Sequence, residues 1–504
     1  MTATDVTAAD PRVHGAADGK APPPHATPYK WRWLALFVIL GAELMDLLDS
    51  TITSVAGPRI ESALGGSYSQ LQWMSAAYTL AFAMLLITGA RLGDMFGRRR
   101  MFLIGTAAFA VTSLLCGLAT SPETLIAYRA VQGVAAAMMV PQGLGLLRDM
   151  FPPGELAAAF GIFGPVMGLG AVAGPIIGGF LVDADLFGTD WRAIFFVNVP
   201  VGIAAFVAGM RLLPGDRVDA RRTVTLDMTG MVLLSAAMVL IILPLVQGRE
   251  SGWPTWSFVS MAASLPVFAL FVWHERRRRA GGGSTLVELS LFRNRAFTSA
   301  LVVGLLFFST MVAFMLIVTV YLQAGHGWSA SDTAVALIPW SLACTVGAGL
   351  SGGLLAPRFG RRVIHAGLVV QVLGVLAVWY TIDHDPAGVS GWGLTPALAL
   401  TGLGFGLIMA PFFDIAIAGV SFEETGSASG VLNAVQQLGG AVGVAAFGTL
   451  FFHYADGGAA ASVRDGFTDG ITNSLLVMAG VLAATWCAAF LMPKKAREEG
   501  GSGH

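Results

Sequence analysis

Residues 91–100 read RLGDMFGRRR, and residues 354–362 read LLAPRFGRR. Aligning Gly97 with Gly360 places Leu92 on Leu355, Asp94 on Pro357 and Arg98–Arg99 on Arg361–Arg362, an offset of 263 residues. Each copy follows one long apolar run and precedes another, so the repeat marks two related halves, 31–213 and 296–493. Duplicated helical bundles with a substrate site near the bilayer midplane are a common transporter plan.

The rest of the chain fits a membrane-spanning plan. Apolar residues make up 55% of the 504 and charged residues 12%, with a mean hydropathy of +0.70. That is about half the charge of a soluble protein, and so much apolar surface could not be hidden in the roughly three soluble domains that length alone suggests. Thirteen stretches free of Asp, Glu, Lys and Arg are long enough to cross a bilayer as helices: 62–90, 101–122, 130–147, 156–182, 193–210, 228–248, 251–274, 296–331, 333–357, 363–382, 386–413, 425–455 and 470–493. A fourteenth, from Trp33 to about Ala56, carries Glu43, Asp46 and Asp49. The expected fold is an all-α integral membrane protein of two six-helix bundles related by a pseudo-two-fold axis. Two further helices within 226–273 are inserted between the bundles, giving fourteen spans.

Alternating the loops between sides places 25 of the 30 Lys and Arg on one face. The other holds Arg59, Arg192, Arg249 and Arg464, and Arg129 falls within a span. The positive-inside rule makes the first face cytoplasmic and puts both termini there, which predicts a multi-pass protein of the inner, cytoplasmic membrane. Residues 1–30, rich in Ala, Pro, Gly and Asp, read as a disordered tail and 494–504 as a second cytoplasmic tail. Segment 274–295 is a basic cytoplasmic loop between the bundles. A net charge of −1 with only four lysines gives no basic face, so no nucleic-acid partner is expected. Cys116, Cys344 and Cys487 are far apart, and no metal or cofactor motif is present.

Four motifs resemble those of the major facilitator superfamily. Leu92, Asp94, Gly97, Arg98 and Arg99 match the signature loop between its second and third helices, with Ala90 where glycine is usual. LIAYRAVQGVAA at 125–136 is similar to the fourth-helix motif through Arg129, Gln132 and Gly133, and GPVMGLGAVAGPIIGG at 164–179 to the fifth-helix antiporter motif. LLDSTITSVAGP at 47–58 resembles the first-helix motif of the fourteen-helix drug:proton antiporter branch. The resemblance covers roughly residues 30–493. It implies a secondary transporter of the inner membrane, working by alternating access and most often exporting drugs or metabolites against a proton gradient.

Glu43, Asp46 and Asp49 recur every three residues and share one stripe of the first span. Acids at membrane depth normally face a water-filled cavity or partner charges, and desolvation favours the proton-carrying form of a carboxyl. All three are candidate proton carriers; the plainer alternative is that they hydrogen-bond neighbouring helices. Reckoned along their spans, Asp49 and Arg129 lie roughly 10 Å and 9 Å from the same face, so the two can pair, and a proton on Asp49 would break the pair. Asp414, after Pro411 in a glycine-rich span, is a further candidate proton site, a contact for a cationic substrate or a buried polar anchor. Gln132, Trp73, Tyr78, Met138 and Gln436 are candidate cavity residues, with packing or lipid contact as the alternative for the apolar ones. Gln436 and Gln437 stand where some exporters of this branch carry acids, which argues against dicationic substrates.

Asp94, Gly97, Arg98 and Arg99 are expected to form a cytoplasmic latch, although arginine anchoring alone would explain the arginines. Pro357 removes the acid from the second copy. Gly164 and Gly174 with Pro165 and Pro175 suggest a bent helix that approaches its neighbours closely. The leading functional expectation is a proton-coupled exporter of small lipophilic or cationic molecules, acting as a monomer with protons, substrate and lipid as its partners. An importer on the same fold is the nearest alternative. A membrane-embedded enzyme is disfavoured, since no nucleophile with a base and no nucleotide-binding loop is present. Replacing Gly174 with leucine is expected to stall exchange between inward and outward states, read as loss of counterflow in vesicles.

Overall fold

A computed structural model describes residues 29–494 except 66–67, 153–154, many positions between 157 and 187, 216–226, 249–251, 284, 387, 419, 422–423 and 456–462. The described residues are helical, with no strand among them. The long helices are α1 (Arg32–Leu64), α2 (Tyr68–Phe96), α3 (Arg98–Gly117), α4 (Pro122–Met150), α5 (Asn198–Leu212), α6 (Met228–Gln247), α7 (Thr255–Ala280), α8 (Arg295–Val320), α9 (Ala330–Leu350), α10 (Arg361–His384), α11 (Gly391–Ala416), α12 (Thr425–Ala455) and α13 (Val463–Ala488).

Twelve helices among the described residues are long and apolar enough to cross a membrane. The expected fourteen would need two more segments. One is α1, 33 residues long but carrying the three acids. The other is 156–182, much of which lies outside the described residues. Large apolar side chains stand exposed around the molecule, among them Phe37, Val111, Leu265 and Leu373. Such a surface is matched by lipid rather than by water. Of the apolar stretch of α7 only 17% is buried within the protein, against 78% for α11, so α7 is peripheral and α11 central.

Local chemistry sets the helix ends. Gly97, between α2 and α3, has φ +99°, and Gly360, before α10, has φ +50°. Both repeated glycines therefore make left-handed turns that other residues rarely adopt. Ser121 and Thr124 form a capping box at the start of α4, with Pro122 in its first turn. Asn294, Ser329 and Ser390 cap α8, α9 and α11 through their side chains.

Helices in lipid gain no hydrophobic drive from one another, so small residues that allow close approach decide which ones pair. On the α2–α4 seam a Cβ at Gly89 would lie 1.8 Å from the Ala137 carbonyl oxygen, and one at Gly133 would lie 2.4 Å from that of Tyr78. The second half repeats the device on α9–α11, where Cβ atoms at Gly402 and Gly406 would each lie 2.1 Å from carbonyl oxygens, those of Trp340 and Cys344. Helices α6 and α7 pack on each other, and α6 also touches α2 and α12, which belong to different halves. Ser235 Oγ of α6 donates to Met84 O of α2 (3.3 Å), and Trp253 Nε1, before α7, donates to Thr449 Oγ1 of α12 (3.0 Å). Gly402→Val would force α11 away from a backbone oxygen that cannot retreat; a loss of about 1–3 kcal/mol is expected, visible as a lower melting temperature in detergent.

Candidate functional site

The three acids of α1 meet different partners. Asp49 is 1% exposed. Arg129 of α4, equally buried, donates from Nη1 to Asp49 Oδ2. Gln132 Nε2 and Asn198 Nδ2 both donate to Asp49 Oδ1, at 3.0 and 2.8 Å. The same Arg129 Nη1 reaches Gln132 Oε1 at 2.8 Å, and its Nε reaches the Met74 carbonyl at 3.4 Å. Its guanidinium lies over the Tyr78 ring, 4.3 Å from the centroid, a cation–π contact. Tyr78 in turn donates its hydroxyl to Asp46. Helices α1, α2, α4 and α5 are thus joined through one polar cluster.

The cluster extends beyond the residues read from sequence. Asn198 also donates to Ser113 Oγ (3.0 Å), which donates to the Phe195 carbonyl (2.9 Å). Cys116 Sγ approaches Gln132 Oε1 at 3.6 Å. A lone amide in the apolar run 193–210 was the available signal for Asn198; Ser113 had none beyond its hydroxyl. Glu43 is buried against α4, with Gly143 leaving its room: a Cβ there would fall 3.0 Å from Oε1.

The remaining candidates are dispersed. Trp73 and Met138 are half-buried on α2 and α4, and Gln436 and Asp414 are half-buried on α12 and α11. Gly174 is helical and buried, and Gly170 abuts Leu44 and Leu47 of α1, where a Cβ would lie 2.5 Å from Leu44 Cδ1. Gly164, Pro165 and Pro175 lie outside the described residues.

A second charged constellation occupies the arginine-bearing end. Arg98 donates to Asp94 Oδ1 (3.1 Å) and to Asp149 Oδ1 (2.9 Å), and Arg91 Nη1 lies 3.7 Å from Asp94 Oδ2. Arg99 donates instead to the Met210 carbonyl at the end of α5. Asp94 abuts the first turn of α12: a Cβ at Gly426 would lie 2.0 Å from its Oδ2. An anion there is favoured by the helix dipole. In the second copy Arg361 donates to the Phe490 carbonyl at 2.8 Å and to that of Met492. Without an acid at Pro357 that copy ties the end of its own half rather than the opposite one.

Further bonds close this end. Arg148 of α4 donates to the Val420 and Ser421 carbonyls, Asn294 Nδ2 to the Ala418 carbonyl (3.1 Å), and the Glu288 amide to Ser427 Oγ (3.0 Å). Burial opposes ionisation of Glu424. Hydrogen bonds from Ser290 and Ser421 and the charge of Arg279 outweigh that effect and hold its carboxyl below its ordinary value. A depressed carboxyl contributes stability above its unfolded pKa and loses it as pH falls through the folded one, so this tether weakens only in acid below the ordinary carboxylate range.

A Major Facilitator Superfamily profile matches residues 39–444. The chain is 51% identical over 456 residues to the "Probable actinorhodin transporter" of Streptomyces coelicolor, which spans 90% of this chain and 78% of that one. It is 37% identical over 423 residues to the "Tetracenomycin C resistance and export protein" of Streptomyces glaucescens, spanning 83% and 76%. The crystal structure of the human organic anion transporter MFSD10 has the same fold, with a TM-score of 0.61 at 15% identity over 93% of this chain and 100% of that one. The chain belongs to the major facilitator superfamily. It is a multi-pass membrane transporter, as its relatives are, and not an enzyme.

Replacing Gly426 with leucine drives a side chain into the space held by Asp94. An acid at a helix N-terminus is worth about 1 kcal/mol, so a roughly fivefold shift away from the state closed at the arginine-bearing end is expected. Spin labels at Arg100→Cys and Phe359→Cys in a Cys487→Ser background would read it as a gain of longer distances; an unchanged distribution would count against the latch.

Proposed function

We propose that this chain is a proton-coupled antiporter of the bacterial cell membrane that exports antibiotic-like small molecules, lipophilic or cationic, by alternating access. Fourteen spans, with α6 and α7 inserted between two six-helix bundles, both termini cytoplasmic and a monomeric working unit, complete the reading. The observation that carries it is the fully buried Asp49–Arg129 pair, with Gln132 and Asn198 on the second carboxylate oxygen. The names of the relatives, an actinorhodin transporter and a tetracenomycin C resistance and export protein, favour outward transport of an antibiotic.

The chemistry of the pair suits a proton-driven switch. Breaking a buried ion pair by removing one charge costs about 3–5 kcal/mol. One proton moving through 100 mV supplies about 2.3 kcal/mol, with any pH gradient in addition, so the two are of comparable size. A proton on Asp49 cancels its charge, and Arg129 then retains the Gln132 oxygen, the Met74 carbonyl and the Tyr78 ring. These partners span α2 and α4, so the loosened contact is the one between α1 and α4. Asp46 and Glu43 continue the acid stripe along α1 as further proton carriers, and Asp414 serves the other half. Tyr78, Gln132, Trp73, Met138 and Gln436 line the substrate path. Asp94, Gly97, Arg98 and Arg99 hold the cytoplasmic end shut while the cavity faces outward, and the glycine–proline stretch that includes Gly164, Pro165, Gly174 and Pro175 supports the exchange.

In energised inverted vesicles, wild-type protein should take up a fluorescent antibiotic or dye and collapse the uptake when a protonophore is added. Asp49→Asn keeps the shape of the side chain and can still accept from Gln132; it should reduce proton-driven uptake at least a hundredfold while leaving energy-independent exchange measurable. Proton-driven uptake by Asp49→Asn at the wild-type rate would remove Asp49 from the coupling step.

A further inference from the structure

The hairpin of α6 and α7 carries a polar group that the proposed transport mechanism does not use. At the arginine-bearing end, Asp227 caps α6 by accepting from the Gly230 amide (2.9 Å), and His274 and Glu275 lie in the last turns of α7. His274 Nε2 is 2.9 and 3.2 Å from the two Asp227 oxygens. One ligand-type atom from each of the three residues lies within 4.8 Å of the others.

Glu275 is 0% exposed. Its Oε2 accepts from the Val287 amide at 3.2 Å, but Oε1 has no hydrogen-bond donor and faces Asp227. Gly230 preserves the space between the two acids: a Cβ there would lie 2.5 Å from Asp227 Oδ2 and 2.8 Å from Glu275 Oε1. Two carboxyl groups brought together out of water call for positive charge between them, either a shared proton or a metal cation.

We propose that Asp227, His274 and Glu275 form a binding site for a divalent first-row metal ion of the zinc class, stapling α6 to α7. One imidazole and two carboxylates suit such an ion better than magnesium or calcium, which take oxygen ligands alone. Ligands at 2.0–2.1 Å around a tetrahedral ion stand about 3.4 Å apart; His274 and Asp227 already lie at 2.9–3.2 Å, and the widest separation in the group, within 4.8 Å, closes by at most about 1.4 Å. His274 is about one-fifth exposed, which gives an entry path and room for water as the fourth ligand. Arg278, with Nη1 3.7 Å from Asp227 Oδ1 and a quarter exposed, is the charge that the ion displaces.

The test uses full-length protein purified in detergent through a tag without histidine and stripped with chelator. Titration with zinc against a chromophoric competitor should show one equivalent bound. Asp227→Asn, His274→Ala and Glu275→Gln should each weaken it at least tenfold, and His326→Ala should not. X-ray absorption of the zinc-loaded wild type, which does not depend on any variant folding, should show one imidazole nitrogen with oxygens at about 2.0–2.2 Å. Absence of stoichiometric binding, binding that survives the three variants, or a shell of sulfur or several imidazoles would overturn the proposal; in the first case the two carboxyls share a proton instead.

Discussion

A carboxylate taken out of water must be matched by charge or by donors, and Asp49 is matched by three side chains from two helices. Arg129 and Gln132 come from α4 and Asn198 from α5, while Asp49 itself belongs to α1. Satisfying the charge therefore fixes the arrangement of three helices at once. Under the proposed mechanism a proton on Asp49 would release this match, whereas no proton acts on an apolar seam.

The apolar seams are close and regular. Helices α2 and α4 approach so closely at Gly89 and Gly133 that side chains cannot intervene, and α9 and α11 do the same at Gly402 and Gly406. The halves meet in two ways. Helices α2 and α12 pack closely, a Cβ at Gly430 falling 2.9 Å from Ala90 Cβ, and at the arginine-bearing end the halves are joined by hydrogen bonds and charge–dipole contacts, such as Arg148 to the Val420 and Ser421 carbonyls and Asp94 at the start of α12. Hydrogen bonds of this sort exchange for water at small net cost.

The two copies of the repeat illustrate how one local sequence acquires two uses. Gly97 and Gly360 both take a positive φ. Arg98 donates to Asp94, which abuts the first turn of α12 in the opposite half, whereas Arg361, with Pro357 in place of the acid, donates to the carbonyls that end its own half.

Much of the fold was legible because membrane physics is one-dimensional: a helix that must satisfy its own amides in hydrocarbon reveals itself by length and by the absence of charge. The repeat, the lipid-facing class, the acid stripe of α1 and the common level of Asp49 and Arg129 all follow from counting along the chain. Counting does not report rotation about a helix axis. That Glu43 turns towards Gly143, that Tyr78 serves Asp46, and that Asn198 and Ser113 join the cluster depend on which faces meet, and glycine clearances on neighbouring helices decide that. The grouping of Asp227, His274 and Glu275 is the clearest instance. Nearly fifty residues of chain separate the first from the others, and only the folding of α6 back along α7 brings their donor atoms together.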